Sequence, residues 1–206
     1  MKKILIGLLS LSLFVSPSLS FADSIDKPSL AYGESLNSQE LENTKKLLGV
    51  EENSEETMVQ INEMNDLLHD SYNYYQVYSS VYIVPSNEEG VKATIITPDT
   101  ITVKTEAQYI NAAITAGATD VDIRIASIKP VDGSGAMSGI YKIYKENGKE
   151  LNQENIIVAQ QELEDISSIS QENINKEGFS DDTLNAAIAS IKEDVILEKE
   201  QIGQNL

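Results

Sequence analysis

The stretch from Thr105 to Glu146, TEAQYINAAITAGATDVDIRIASIKPVDGSGAMSGIYKIYKE, constrains the fold more than any other part of the chain. Its apolar period switches from helical to strand-like and back to helical. Thr105 and Gln108 stand at capping-box spacing, Ile110, Ala113 and Ile114 share one face, and Gly117 supplies a left-handed stop, which predicts a helix over 106–117. Residues 120–128 then alternate Val121, Ile123 and Ile125 with Asp122, Arg124 and Ala126, the pattern of a half-exposed strand. After Gly133, Ser134 and Gly135 a second amphipathic helix runs to Glu146 and closes at Asn147-Gly148. Helices alternating with strands in this way indicate an α/β fold.

Upstream, VYSSVYIV (77–84) is β-branched and aromatic, and VKATIIT (91–97) follows after Pro85 and Asn87-Glu88-Glu89-Gly90, so a hairpin is predicted. Strand 91–97, helix 106–117 and strand 120–128 favour a right-handed βαβ crossover. LNSQELENTKKLLGV reads as a short helix capped by Asn37 or Ser38, with Glu40 completing a capping box and Gly49 ending it. ETMVQINEMNDLLHD suits either a helix or a short strand with Asn62 capping a helix behind it. Residues 23–36, mixed in character and interrupted by Pro28 and Gly33, read as a mobile tail. The last third repeats Ile156, Ala159, Leu163 and Ile166, then Leu184, Ile188, Ile191 and Val195, at helical spacing. Gly178 stops the first run, and Ser180 caps the second with Phe179 and Leu184 at hydrophobic-staple spacing, which predicts an antiparallel helical hairpin.

The first 22 residues have the form of a secretory signal peptide: Lys2 and Lys3, an apolar run from Ile4 to Val15, and a small-x-small site at Ser20-Phe21-Ala22. The run falls short of the roughly 20 residues a membrane span needs, so no transmembrane segment is expected after cleavage, and the expected location is secreted or in the cell envelope. Cleavage would remove two lysines and no acid, leaving 13 basic against 33 acidic side chains. Such a chain is repelled by nucleic acid and other polyanions, which excludes them as partners. It has no cysteine, so disulfides, a thiol nucleophile and Cys-ligated metals are out.

Gly133-x-Gly135-x-x-x-Gly139 sits where a dinucleotide loop would, but it is one residue too long and no second strand with a ribose-binding acid follows. Gly133, Ser134 and Gly135 remain open to two readings, a tight turn with a helix packed closely behind it or a weak anion-binding turn. His69 is the only histidine and lies at an expected helix end; alone it builds neither a triad nor a zinc site. Five of the nine tyrosines, Tyr72, Tyr74, Tyr75, Tyr78 and Tyr82, fall within eleven residues. They read either as packing under helices or as an exposed recognition strip for a peptide or glycan. Paired acids such as Glu51-Glu52, Asp120 with Asp122, and Asp181-Asp182 all lie in polar runs, where nothing raises a carboxyl pKa as glycosidase chemistry requires.

Three segments together, AYGESLNSQELENTKKLLGV (31–50), SSVYIVP (79–85) and YINAAITAGATDVDIRIASIKPVDGSGAMSGIYKIYKENG (109–148), resemble the YpuA-like secreted proteins of Gram-positive bacteria, the domain of unknown function 1002 family. The resemblance covers nearly all of the chain after residue 22. It implies that Thr57–Asn62 is a strand leading to an Asn-capped helix, and it carries no catalytic residue, ligand or cofactor. DSYNYYQVY departs from it, standing where the family more often has small residues and glycine. The fold expected is therefore α/β, with an α/β domain over 37–150 and the helical hairpin over 151–206. The domain holds a small mixed sheet of three or four strands (57–61, 77–84, 91–97, 120–128) and a crossover helix. The function expected is a secreted, non-catalytic module, without cofactor or metal, that binds a protein, peptide or cell-envelope component. A wall-directed hydrolase using paired carboxylates is the alternative, and a purely structural envelope protein a third possibility.

Overall fold

A computed structural model describes residues 25–148 without a break, and beyond them only positions 151, 156–157, 173, 180, 183–184, 187 and 190. The expected signal segment and most of the expected C-terminal hairpin lie outside the described residues. Of that hairpin, the described cap matches the reading at one point: Ser180 Oγ accepts the Thr183 N–H at 3.1 Å.

The described part is mixed α/β, built on one five-stranded sheet in the order β2-β1-β3-β5-β4. The strands are β1 (Ser29–Gly33), β2 (Glu55–Val59), β3 (Ser80–Pro85), β4 (Val91–Ile95) and β5 (Val121–Ala126). The helices are α1 (Ser38–Leu48), the short α2 (Met64–Leu68), α3 (Glu106–Thr115) and α4 (Ser134–Glu146). β1 and β2 are parallel, β4 and β5 are parallel, and β3 runs antiparallel to both β1 and β5. Four strands therefore point one way around a single reversed centre. Each parallel pair is consecutive in the chain, with α1 between β1 and β2 and α3 between β4 and β5. Both units step in the same direction along the sheet, yet α1 and α3 lie on opposite faces.

Two expectations are corrected. Residues 29–33 are not tail but an interior strand, paired on both sides. Nor do 77–84 and 91–97 form a hairpin, because β5 inserts between β3 and β4. Bridging two strand spacings of about 4.8 Å is easy for five residues. Their turn closes on β5's entry: Ser86 N–H donates to the Asp120 carbonyl and Gly90 N–H to Asp120 Oδ1.

Side chains alternate across the sheet. Ala31, Val59, Val81, Ile83, Val91, Ile123 and Ile125 face the main core beneath α2, α3 and α4. Leu30, Tyr82 and Ala126 face the other way, onto Leu48 of α1. The caps follow the residues that predict them: Asn37 with Glu40 for α1, Thr105 with Gln108 for α3, and left-handed Gly49 after α1. Helix α4 is buried over most of its surface, only Lys142, Lys145 and Glu146 of its polar side standing clear of the core. A Cβ at Gly139 would come within 2.8 Å of Val81 Cγ1 and 2.9 Å of Ala31 Cβ, so a glycine there lets α4 lie directly on β1 and β3. No described helix is long and apolar enough to cross a membrane.

Candidate functional site

Because β1, β2, β4 and β5 share a direction, their carboxyl ends form one edge of the sheet, which the start of β3 also reaches. That edge is where open α/β sheets place their ligands. Here the chain between α2 and β3, residues 70–79, crosses in irregular conformation.

The crossing segment is anchored at both ends. At its start, Asn65 Nδ2 donates to the carbonyls of Asp70 and Tyr72 at 3.2 and 3.0 Å, and the Tyr74 hydroxyl donates to Asp70 Oδ2 at 2.5 Å. Burial, followed by that bond to a carboxylate, raises the Tyr74 pKa far above its ordinary value. At its end, Val77 is buried, its N–H donates to Ser35 Oγ and its carbonyl accepts the Ser35 N–H. The Val77 carbonyl also explains Gly33, where a Cβ would stand 2.1 Å from that oxygen. Between the anchors, Tyr72 is 72% exposed and Tyr75 77% exposed.

The opposite wall is made by the loops that continue β4 and β5. They zip together through an isolated parallel bridge of Ile101 with Val131, and Lys104 N–H donates to the Asp132 carbonyl. Lys104 is half-buried; burial holds its ammonium pKa below the ordinary lysine value, while the nearby charges of Asp132 and Asp70 act in the other direction. The α4 N-terminus closes the floor. Gly133 is left-handed with φ 105°, and its carbonyl accepts the hydroxyl of buried Tyr109. Asp132, just before the N-cap Gly133, has its carboxylate accepting the N–H and the hydroxyl of Ser134 at 3.0 and 2.7 Å. Ser79 Oγ accepts the Ala136 N–H. A Cβ at Gly135 would lie 2.6 Å from Val77 Cγ1, so the two walls meet there in contact.

Between the walls lies a cleft of about 360 Å³. Asn73, Tyr74, Tyr75, Gln76 and Tyr78 line one side, and Thr102, Pro130, Asp132, Ser134 and Gly135 the other. A second concavity of about 450 Å³ lies across Tyr74 and is lined by Gln60, Asn62, Asn65 and Tyr72. The two candidate features of the sequence, the tyrosines and the glycine turn, thus share one cleft.

They share it unequally. Tyr82 is fully buried on the opposite face of the sheet, where its hydroxyl meets the Glu51 N–H and Ser54 Oγ, so it belongs to no exposed strip. Tyr78 is half-buried with the Lys129 ammonium 4.0 Å from its ring centre. Tyr72, Tyr74 and Tyr75 remain on the rim. In the glycine turn, the first helical N–H groups are served by Asp132 and Ser79, the arrangement of a self-capped corner. His69 ends α2 in left-handed conformation with φ 51°. Asp132, Ser79 and Thr102 were not singled out from sequence; Asp132-Gly133-Ser134, an Asx-type turn before a helix, was the signal available for the first. No group of three or more metal-ligating side chains occurs among the described residues.

The profile of the family described as "Protein of unknown function (DUF1002)" matches residues 32–205. The chain belongs to that family. It is also similar to the "Uncharacterized protein YpuA" of Bacillus subtilis (strain 168), with 26% identity over 200 residues, covering 94% of this chain and 67% of the relative. No solved structure matches it.

Proposed function

We propose that this chain is a secreted, non-catalytic binding module, and that it recognises a protein, peptide or cell-envelope component at the cleft between residues 73–79 and the start of α4. The observation that carries this is the exposure of Tyr72 and Tyr75 on a segment tied to the core at both ends. Ordered, exposed tyrosines offer large contact area at small entropic cost, and the Asn, Gln and Ser among them offer adaptable hydrogen bonds. The same mixture serves in antibody loops. The signal-like first 22 residues support action outside the cytoplasmic membrane. The acids at this site, Glu34, Asp70 and Asp132, are engaged by the Ile61 N–H, the Tyr74 hydroxyl and Ser134, which weighs against a paired-carboxylate hydrolase.

The test is an amide chemical-shift titration of the purified chain with soluble envelope fragments and extracellular peptides. Binding is expected to move amides of 70–79 and 130–136 and to be lost when Tyr72 and Tyr75 are both serine. Shifts centred on α1 instead would refute the site. Turnover of a ligand that stops on Asp132→Asn would refute the non-catalytic reading.

A further inference from the structure

Resting on the cleft as the recognition surface, we infer that its ligand is an extended basic polypeptide segment, with lysine or arginine side chains set against Tyr72 and Tyr75. Among the described residues, the lining of the two concavities contains no lysine, arginine or histidine, but it does contain Glu34 and Asp132. Asp70 adds a third carboxylate, bonded to the Tyr74 hydroxyl, and half-buried Lys104 partly offsets both Asp132 and Asp70. The whole chain carries 33 acidic against 15 basic side chains, so its field draws cations in and turns polyanions away.

Each part of the rim has a role in that contact. Tyr72 and Tyr75 are largely exposed, and tyrosine rings attract ammonium and guanidinium groups. The chain already makes such a contact beside the cleft, where Lys129 lies 4.0 Å from the Tyr78 ring centre. Asn73, shared by both concavities, and Gln76 carry amides that match the donors and acceptors of a peptide backbone. Because the two concavities flank Tyr74, an extended segment can occupy both, with a cationic side chain on each side of the ridge.

The test compares four probes on the purified chain by amide shifts and calorimetry: the octapeptides (Lys-Gly)4, (Ser-Gly)4 and (Glu-Gly)4, and a neutral N-acetylglucosamine tetramer. The cationic peptide is expected to bind best, moving amides of 72–76. Its affinity is expected to fall at least tenfold between roughly 50 and 500 mM salt, where screening shortens to a few ångströms. Tyr72→Ala with Tyr75→Ala is expected to weaken it by about 5- to 30-fold, while Leu47→Ala on α1, away from the cleft, leaves it unchanged. Cleft binding of the neutral peptide or the sugar at equal or higher affinity overturns the basic-ligand inference and leaves the binding-module reading standing. Shifts scattered over the acidic surface and indifferent to the tyrosine changes overturn the inference as well. No binding of any probe at millimolar concentration counts against both.

Discussion

Replacing Gly139 with alanine tests the closest contact in the fold. In an open helix interior that change stabilises by about 1 kcal/mol, because alanine restricts the unfolded chain and favours helix. At Gly139 the new methyl would lie 2.8 Å from Val81 Cγ1 and 2.9 Å from Ala31 Cβ. Neither partner yields readily: both residues are buried in the central strands, an alanine Cβ has no rotamer to change, and a β-branched valine is stiff at χ1. Helix α4 must therefore lift from the sheet, loosening Ala136 and Ile140 on either side. Overpacking of this kind costs about 1–3 kcal/mol. Two stiff partners place it near the top of that range, so the net loss is about 2 kcal/mol. For a chain of this size that lowers Tm by roughly 4–8 °C. Urea and thermal unfolding followed by circular dichroism measure it directly. Ala31→Gly in the Gly139→Ala background removes one of the two contacts and is expected to recover part of the loss, as coupled neighbours do. A Gly139→Ala variant as stable as the parent, or more stable, would show that α4 does not rest on β1 and β3 as described.

Two further outcomes follow from buried tyrosines. Tyr82→Phe removes a buried hydroxyl bonded to the Glu51 N–H and Ser54 Oγ, and is expected to cost about 1 kcal/mol in urea unfolding without altering ligand binding. Burial raises the pKa values of Tyr109, Tyr141 and Tyr144, and burial with the Asp70 bond raises that of Tyr74, all from an ordinary value of 10.0. These groups keep their protons in the folded chain at pH values where the unfolded chain loses them. Their contribution is therefore intact below pH 10 and declines as pH rises above it. Absorbance at 295 nm is expected to show them ionising only as the chain unfolds in alkali, and free titration of all nine tyrosines near pH 10 in the folded state would contradict their burial.

What the sequence discloses here depends on how local the determining contact is. The caps at Asn37, Thr105 and Gly49 are settled within five residues, and the structure has them where the spacing predicts. Strand β1 was hidden because its core-facing side is Ser29, Ala31 and Gly33, small residues chosen for closeness to α4 and to the Val77 carbonyl rather than for apolar bulk. Gly33 therefore reads as a breaker when it is a contact. The false hairpin has another origin: the strand that separates β3 from β4 lies some thirty residues downstream, and nothing in 86–90 records its insertion. The site was legible in halves. The tyrosines of 72–78 and the turn at Gly133–Gly135 each stand out as composition, but their meeting depends on Ser79 reaching Ala136 across 57 residues of chain. Of the two readings of the tyrosines, Tyr82 follows the packing one: alternation gives a side chain's face without saying which face a helix covers, and α1 covers this one.

Photo-cross-linking bears most directly on where the molecule meets its partner. A photoreactive residue is placed at position 75 on the cleft rim, or at position 47 on the exposed side of α1, and each chain is illuminated with envelope material. Adducts are expected from position 75, suppressed by excess unlabelled chain, with none from position 47. Adducts from position 47 alone, or equally from both, would contradict the assignment of recognition to the tyrosine-edged cleft.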